Sequence, residues 1–387
     1  MLSLRNNSLV PYDATQVSAK AVGLANGMTF PMFLRALLDK RDMSRVSRIG
    51  INISTPTDRA RDVVMPDVWF ERVFMDVDGV AGFFRQMSGG RRYIEWSLYS
   101  KPLLSTAQKA AADASEMTIA AYRNAASATG SGIPVGDFDR FIWVVDDGVS
   151  TMGTTSSDSI VGAIDFCVQT TAHESTHAFG VHYHADVKKI EYGDLFCLMG
   201  SGGGRGFSNP RLAVPNGGFS NGLDGPGICA PYLLVAGWLD YKANVVGIEP
   251  SALAQNTGST LTTLAANQGA PPPGSSTKIA MAIGNIPTQA ADPPQYWIEY
   301  RHPSGYDRGI NLLFNASAKD FPDTGVLALR EVRIDTARGT QLHSFLLSAV
   351  GAVAGQTLAI AALNIAVRIV DVQVARKSIV VAMDRTA

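Results

Sequence analysis

Cysteine is scarce in this chain: 387 residues hold three, Cys167, Cys197 and Cys229. An odd count excludes a complete disulfide framework, and a chain of this length does not need one to bury a core. A single bridge from Cys197 to Cys229 and three ordinary buried thiols both stay open. Charge is sparse as well, at 17% of residues, with a formal net charge of −1 and no run of one sign. That excludes the basic surface of a general nucleic-acid binder, and it excludes charged tails. The first residues, Met1 to Asn7, lack the basic start and apolar stretch of a secretory leader. Long apolar runs are few. The stretch 345–367 carries no charge, but it is rich in Ala and Gly and runs into alternating residues, so strands are expected there rather than a membrane span.

Hydrophobic residues make up 46% of the chain, enough for buried cores in two domains. Residues 1–45 read as a lead-in segment with a helical pattern over 31–38. Apolar alternation predicts a strand over 48–53, while 92–97 reads as a second strand and the apolar run in 138–145 as a third, buried one. Helices are expected over 80–87, ending at Ser88-Gly89-Gly90, and over 105–126, capped by Ser105. Residues 200–228, rich in Gly, Ser, Asn and Pro, read as irregular surface chain. Beyond about 245 helical periodicity fades, and β-type runs at 295–301, 324–332 and 365–383 point to a β-rich domain. The linker 269–276 lies within it. The expected organisation is α+β: a lead-in over 1–45, a first domain over 46–245 and a β-rich domain over 246–387.

The chemistry concentrates in one place. His173-Glu174-Ser175-Thr176-His177 is an HExxH sequence, and an α-helix turns once per ~3.6 residues, so its two histidines share a face and can grip one ion. Neutral imidazoles are good zinc ligands, and Glu174 stands beside the metal as a base for its water. Four of the six histidines, His173, His177, His182 and His184, fall within twelve residues, a clustering that core histidines do not need. Gly180, three residues on, suits a left-handed helix end that returns the chain toward the metal.

These residues resemble the metzincin zinc peptidases, whose motif is HExxHxxGxxH followed by a methionine turn. More narrowly they resemble the gametolysin (autolysin) branch, with some likeness to the immune inhibitor A branch. Glu191-Tyr192-Gly193-Asp194-Leu195-Phe196-Cys197-Leu198-Met199 resembles that branch's stretch ending in the turn methionine. Cys229-Ala230-Pro231-Tyr232 to Leu239, and Glu299-Tyr300-Arg301 with Gly305-Tyr306-Asp307, resemble elements that follow it. The resemblance implies a zincin catalytic domain of twisted sheet and active-site helix, a Zn2+ cofactor, and Met199 as an apolar floor beneath the metal. It also implies an endopeptidase acting on protein or peptide, extracellular glycoprotein included, and a secreted or extracellular placement. Tyr192 and Asp194 would brace the turn.

One position departs from the pattern. The family's third histidine falls here on Tyr183, with His182 and His184 on either side. His184 is the favoured third ligand, because one inserted residue would bring it onto the metal; His182 is the alternative, and Asp186 an outside candidate. Tyr183 is less suited to ligation, since phenol ionises near pH ~10. It is a candidate catalytic donor to the tetrahedral oxyanion. The competing function is a binding or adhesion protein that keeps a degenerate peptidase site for its metal.

Overall fold

The computed structural model describes residues 46–385 apart from 54–66, 76–77, 100–102, 105–106, 109–117, 129, 146–151, 154–157, 163–165, 188–189, 201–206, 213–222, 250–259, 312–320 and 336–340. The lead-in 1–45 and the Ser105 cap lie outside the described residues. The first half holds the strands β1 (Val46–Ile53), β2 (Tyr93–Tyr99), β3 (Arg140–Val145), β4 (Met152–Gly153) and β5 (Ser159–Gly162). They pair in the order β2-β1-β3-β5-β4, parallel throughout except for the edge strand β4.

A parallel sheet is buried on both faces, and β3 shows how this chain manages it. The helices α1 (Asp67–Met75), α2 (Val80–Met87), α3 (Thr118–Ser127) and α4 (Val168–His177) supply the cover. Phe141, Trp143 and Val145 meet α3, where Tyr122 stacks on Trp143. Ile142 and Val144 enter the main core with Phe74, Phe83, Phe84 and Ala172 of the other three helices. α2 ends as expected, at Gly89 and Gly90 with φ of 61° and 77°. Of the helix expected over 105–126, residues 107–108 and the span of α3 are helical; 109–117 lie outside the described residues.

The short strands β6 (Phe207–Ser208) and β7 (Leu223–Asp224) and the helices α5 (Ala230–Val235) and α6 (Tyr241–Asn244) lead to the second half. There β8 (Val245–Ile248), β9 (Thr260–Ala265), β10 (Ala280–Ile283), β11 (Gln295–Arg301), β12 (Val326–Asp335), β13 (Gln341–Gly351), β14 (Thr357–Ile360), β15 (Ile365–Gln373) and β16 (Ser378–Arg385) make two sheets. Their orders are β13-β12-β11-β10-β8 and β14-β15-β16-β9. The uncharged stretch 345–367 forms parts of β13, β14 and β15, and among the described residues no helix is long and apolar enough to cross a membrane. The molecule is thus mixed helix and sheet, with strand predominating, and β-rich after 245.

β11 explains how the two halves join, because every residue in it is buried. Tyr296, Ile298 and Tyr300 face the four-stranded sheet, packing with Leu264, Val367, Ile379 and Val381. Trp297 points the other way, into the main core of the first half. Complete burial of each large apolar side chain is worth about 1.5–3 kcal/mol. On the same face as Trp297, Glu299 and Arg301 enter a buried ionic network. Glu299 accepts from Arg330 Nε at 2.8 Å, Ala230 N at 2.8 Å and Asn267 Nδ2 at 2.6 Å. Arg301 donates to Asp307 at 2.6 and 2.8 Å and to the Phe196 carbonyl at 2.7 Å, and Arg330 pairs with Asp194. Such pairing offsets much of the cost of burying these charges, although Arg330 Nη2 is buried without a hydrogen-bond partner among the described residues. The network ties residues 194–196 to the β-rich half. The linker 269–276 is likewise anchored: Ala270 N donates to Met87 O at 2.8 Å and Arg91 to Pro271 O at 2.6 Å.

Candidate metal centre

α4 starts at Cys167, whose Sγ accepts from Thr170 N at 3.4 Å. It stops just after His177, where Phe179 N and Gly180 N close the last turn on the carbonyls of Thr176 and His177, both at 2.9 Å. Gly180 then takes φ +92°, and a Cβ there would meet nothing within 4 Å. Backbone conformation, not space, calls for glycine. The left-handed residue turns the chain back over the helix, and His184 arrives beside His173 and His177.

The three histidines are buried, and their ligand atoms all lie within 4.8 Å of one another, a group that could hold a metal ion. His173 Nδ1 is 2.8 Å from the Leu198 carbonyl and His177 Nδ1 is 2.8 Å from the Val181 carbonyl. A carbonyl oxygen only accepts, so both Nδ1 atoms carry hydrogen and the lone pair of each ring sits on Nε2. His184 Nδ1 is 2.7 Å from Glu191 Oε1, a carboxylate partner that orients a ligating imidazole in the same way. Burial, helped by the neighbouring His177, lowers the pKa of His173 to about 3, so its ring stays neutral. Burial raises the Glu174 carboxyl to about 8.

The stretch ending in Met199 meets the histidine group through its backbone. Met199 is buried, its carbonyl accepts from Ala185 N at 2.7 Å, and the neighbouring Leu198 carbonyl is the one that orients His173. A Cβ on Gly200 would collide with the carbonyls of Asp194 and Ala185, so the turn can press that closely only with glycine. The three cysteines are free thiols; Cys229 N donates to Cys197 Sγ at 3.3 Å without a bridge.

Three residues considered from sequence lie apart from the histidine group. His182 donates its backbone N–H to Gln341 Oε1 at 2.8 Å and is not part of the group. Asp186 is no ligand either: its Oδ2 pairs with His343 at 3.0 Å and its Oδ1 accepts from Tyr192 N at 2.9 Å. Tyr183 stacks on His343, with ring centroids 4.6 Å apart, and its hydroxyl donates to Asp335 at 3.1 Å. The phenol stacked on the histidines is Tyr192, with its ring centroid 3.8 Å from that of His184 and 5.9 Å from that of His173. Tyr192 is partly exposed and adopts φ +61°, a left-handed conformation uncommon outside glycine, steadied by the Asp186 carboxylate.

Sequence reasoning missed the supports that come from β13 and from α5. Gln341 donates to the Gly180 carbonyl, Asp186 N donates to the Ser344 carbonyl at 3.1 Å, and Tyr232 donates its hydroxyl to the His184 carbonyl at 2.7 Å. His343 had one signal, being one of only two histidines outside the cluster; Gln341 and Ser344 had none. Compared with known proteins, the chain matches no family model and no curated protein.

The two perturbed groups predict how the metal-free protein responds to pH. Unfolded, His173 takes up a proton near 6.5; folded, it does so only near 3, so stability falls as pH drops from 6.5 toward 3. Glu174 ionises near 4.5 unfolded and near 8 folded, so stability falls as pH rises from 4.5 to 8. The two contributions cancel between 4.5 and 6.5, and outside that window the pair costs chelator-treated protein about 1.4 kcal/mol per pH unit, on top of the separate contribution of Asp224, which burial raises to about 7. Thermal melts across pH test the Glu174 part as a difference: the stability of the unaltered protein relative to Glu174→Gln should fall between pH 4.5 and 8. A difference that stays constant over that range would contradict the assignment.

Proposed function

We propose that the chain is a zinc-dependent endopeptidase of the metzincin type that its motif resembles. The observation that carries this reading is the convergence of three buried imidazoles, each with Nδ1 tied to an acceptor, with the half-buried carboxylate Glu174 one residue along from His173 on the same helix. Three imidazole donors would leave the fourth position of a tetrahedral ion to water, which suits a catalytic zinc site, and a purely structural site has no use for a base beside it. Zinc bound there would polarise the scissile carbonyl and bring the attacking water's pKa toward ~7.

His173, His177 and His184 hold the ion. Glu174 takes the proton from the attacking water and returns it to the leaving amine, as a general base and then a general acid. Its carboxyl is already pushed toward neutral pH by burial, and a nearby cation would draw it back into the ionised form that a base requires. Tyr192, whose ring lies over that of His184, is the phenol we propose as donor to the oxyanion, since the Tyr183 hydroxyl donates to Asp335. The substrate is protein or peptide; extracellular glycoprotein, and with it a secreted placement, is the class the resemblance implies.

The test is hydrolysis of an unfolded protein substrate, with products identified by mass spectrometry. Chelation should lower the rate by about three orders of magnitude, matching several kcal/mol of transition-state stabilisation, and one equivalent of zinc should restore it. Protein that retains zinc stoichiometrically yet cuts no peptide bond would instead be a metal-stabilised binding or adhesion protein.

A further inference from the structure

Away from the three histidines, one guanidinium, that of Arg140, buries nitrogens without the acceptors its chemistry demands. Arg140 begins β3, and by alternation it points to the face where Ile142 and Val144 enter the main core. Its Cζ lies 4.4 Å from the centroid of the Phe179 ring, and that of Arg92 lies 5.2 Å from the same centroid. Nε and Nη1 of Arg140 are buried with no hydrogen-bond partner among the described residues.

The nearby carboxylate Asp158 is spent elsewhere. It pairs with Arg123 and accepts from Phe141 N at 2.9 Å and Trp143 Nε1 at 3.0 Å. Burial, together with repulsion from Arg92, lowers the Arg140 pKa to about 10 despite the attraction of Asp139 and Asp158. A guanidinium taken out of water needs an acceptor in reach, and contact with one aromatic face offsets only part of that loss. The planar fork of Arg matches oxyanions that accept two parallel hydrogen bonds.

We propose that Arg140 and Arg92, beside Phe179, form a binding site for a small oxyanion, of the sulfate, phosphate or carboxylate kind. The site uses none of the three clustered histidines. Phe179 stands two residues beyond His177, and Val181, whose carbonyl orients His177, is two further on, so the anion sits against the turn that ends α4.

The experiment is a set of melting curves on the whole zinc-loaded chain in sulfate, phosphate and acetate, each matched in ionic strength with sodium chloride. Sulfate and phosphate should give a saturable rise over chloride on the order of 3 °C at about 100 times Kd. An equal response to acetate would extend the ligand class to carboxylates. Arg140→Met should abolish the rise. Arg92→Met is the second variant should the first fail to fold, and sulfate titration calorimetry on the unaltered protein gives an independent reading. Equal rises in the unaltered protein and Arg140→Met, no rise beyond chloride, or a carboxylate of this same chain found on Arg140 in a crystal, would each overturn the site.

Discussion

Replacing Glu174 with glutamine should lower peptide hydrolysis by about 10²–10⁴-fold while zinc content stays at one equivalent. The carboxylate is not among the residues grouped to hold the ion, so its loss removes proton transfer without removing a ligand. Glutamine keeps the shape and a carbonyl oxygen but cannot accept a proton at neutral pH. Two measurements are needed on the same preparation: metal by elemental analysis, and kcat with a peptide of fixed sequence. If kcat were unchanged, Glu174 would be a buried structural acid and the proposed mechanism would lose its base.

The second large effect separates two histidines that stand two residues apart. His184→Ala should weaken zinc binding by more than about 100-fold, beyond the upper end of what losing an outer hydrogen-bond partner costs. His182→Ala should change it by less than about twofold on the same standard, because His182 is not among the grouped imidazoles and its backbone N–H bond to Gln341 survives the substitution. Zinc affinities measured by competition with a chromophoric chelator decide between them. Equal losses in the two variants would mean that the turn after Gly180 is read incorrectly. Chloride should be the buffer anion in both series, so that oxyanion binding at Arg140 does not differ between samples.

The β-rich half is part of this centre rather than an appendage to it. Strand β13 reaches the turn 180–186 through Gln341, His343 and Ser344. Arg301 and Arg330 hold residues 194–196, which lead into the methionine turn. The imidazole positions therefore depend on packing between halves that are far apart in the chain, and a catalytic site needs its ligands held by such outer contacts.

Features set by neighbours along the chain were readable from residues alone. Histidines four apart must share a helix face, Gly180 had to mark the helix end, alternation marked β1 and β15, and short β-type runs marked β3 and β11. Whatever depended on the path of a loop was not. His182 and His184 differ by a single step of backbone, and the choice between them follows from the left-handed turn at Gly180 together with contacts to residues more than 150 positions away. The same holds for Tyr183 and Tyr192. Both are tyrosines near the motif, but one is drawn to Asp335 and His343 while the other lies over the imidazoles. Local pattern thus accounts for the helix, its two histidines and its glutamate. The third ligand, the outer hydrogen bonds and the neighbouring phenol come from long-range packing, because no periodicity along a chain encodes which distant strand will meet a given turn.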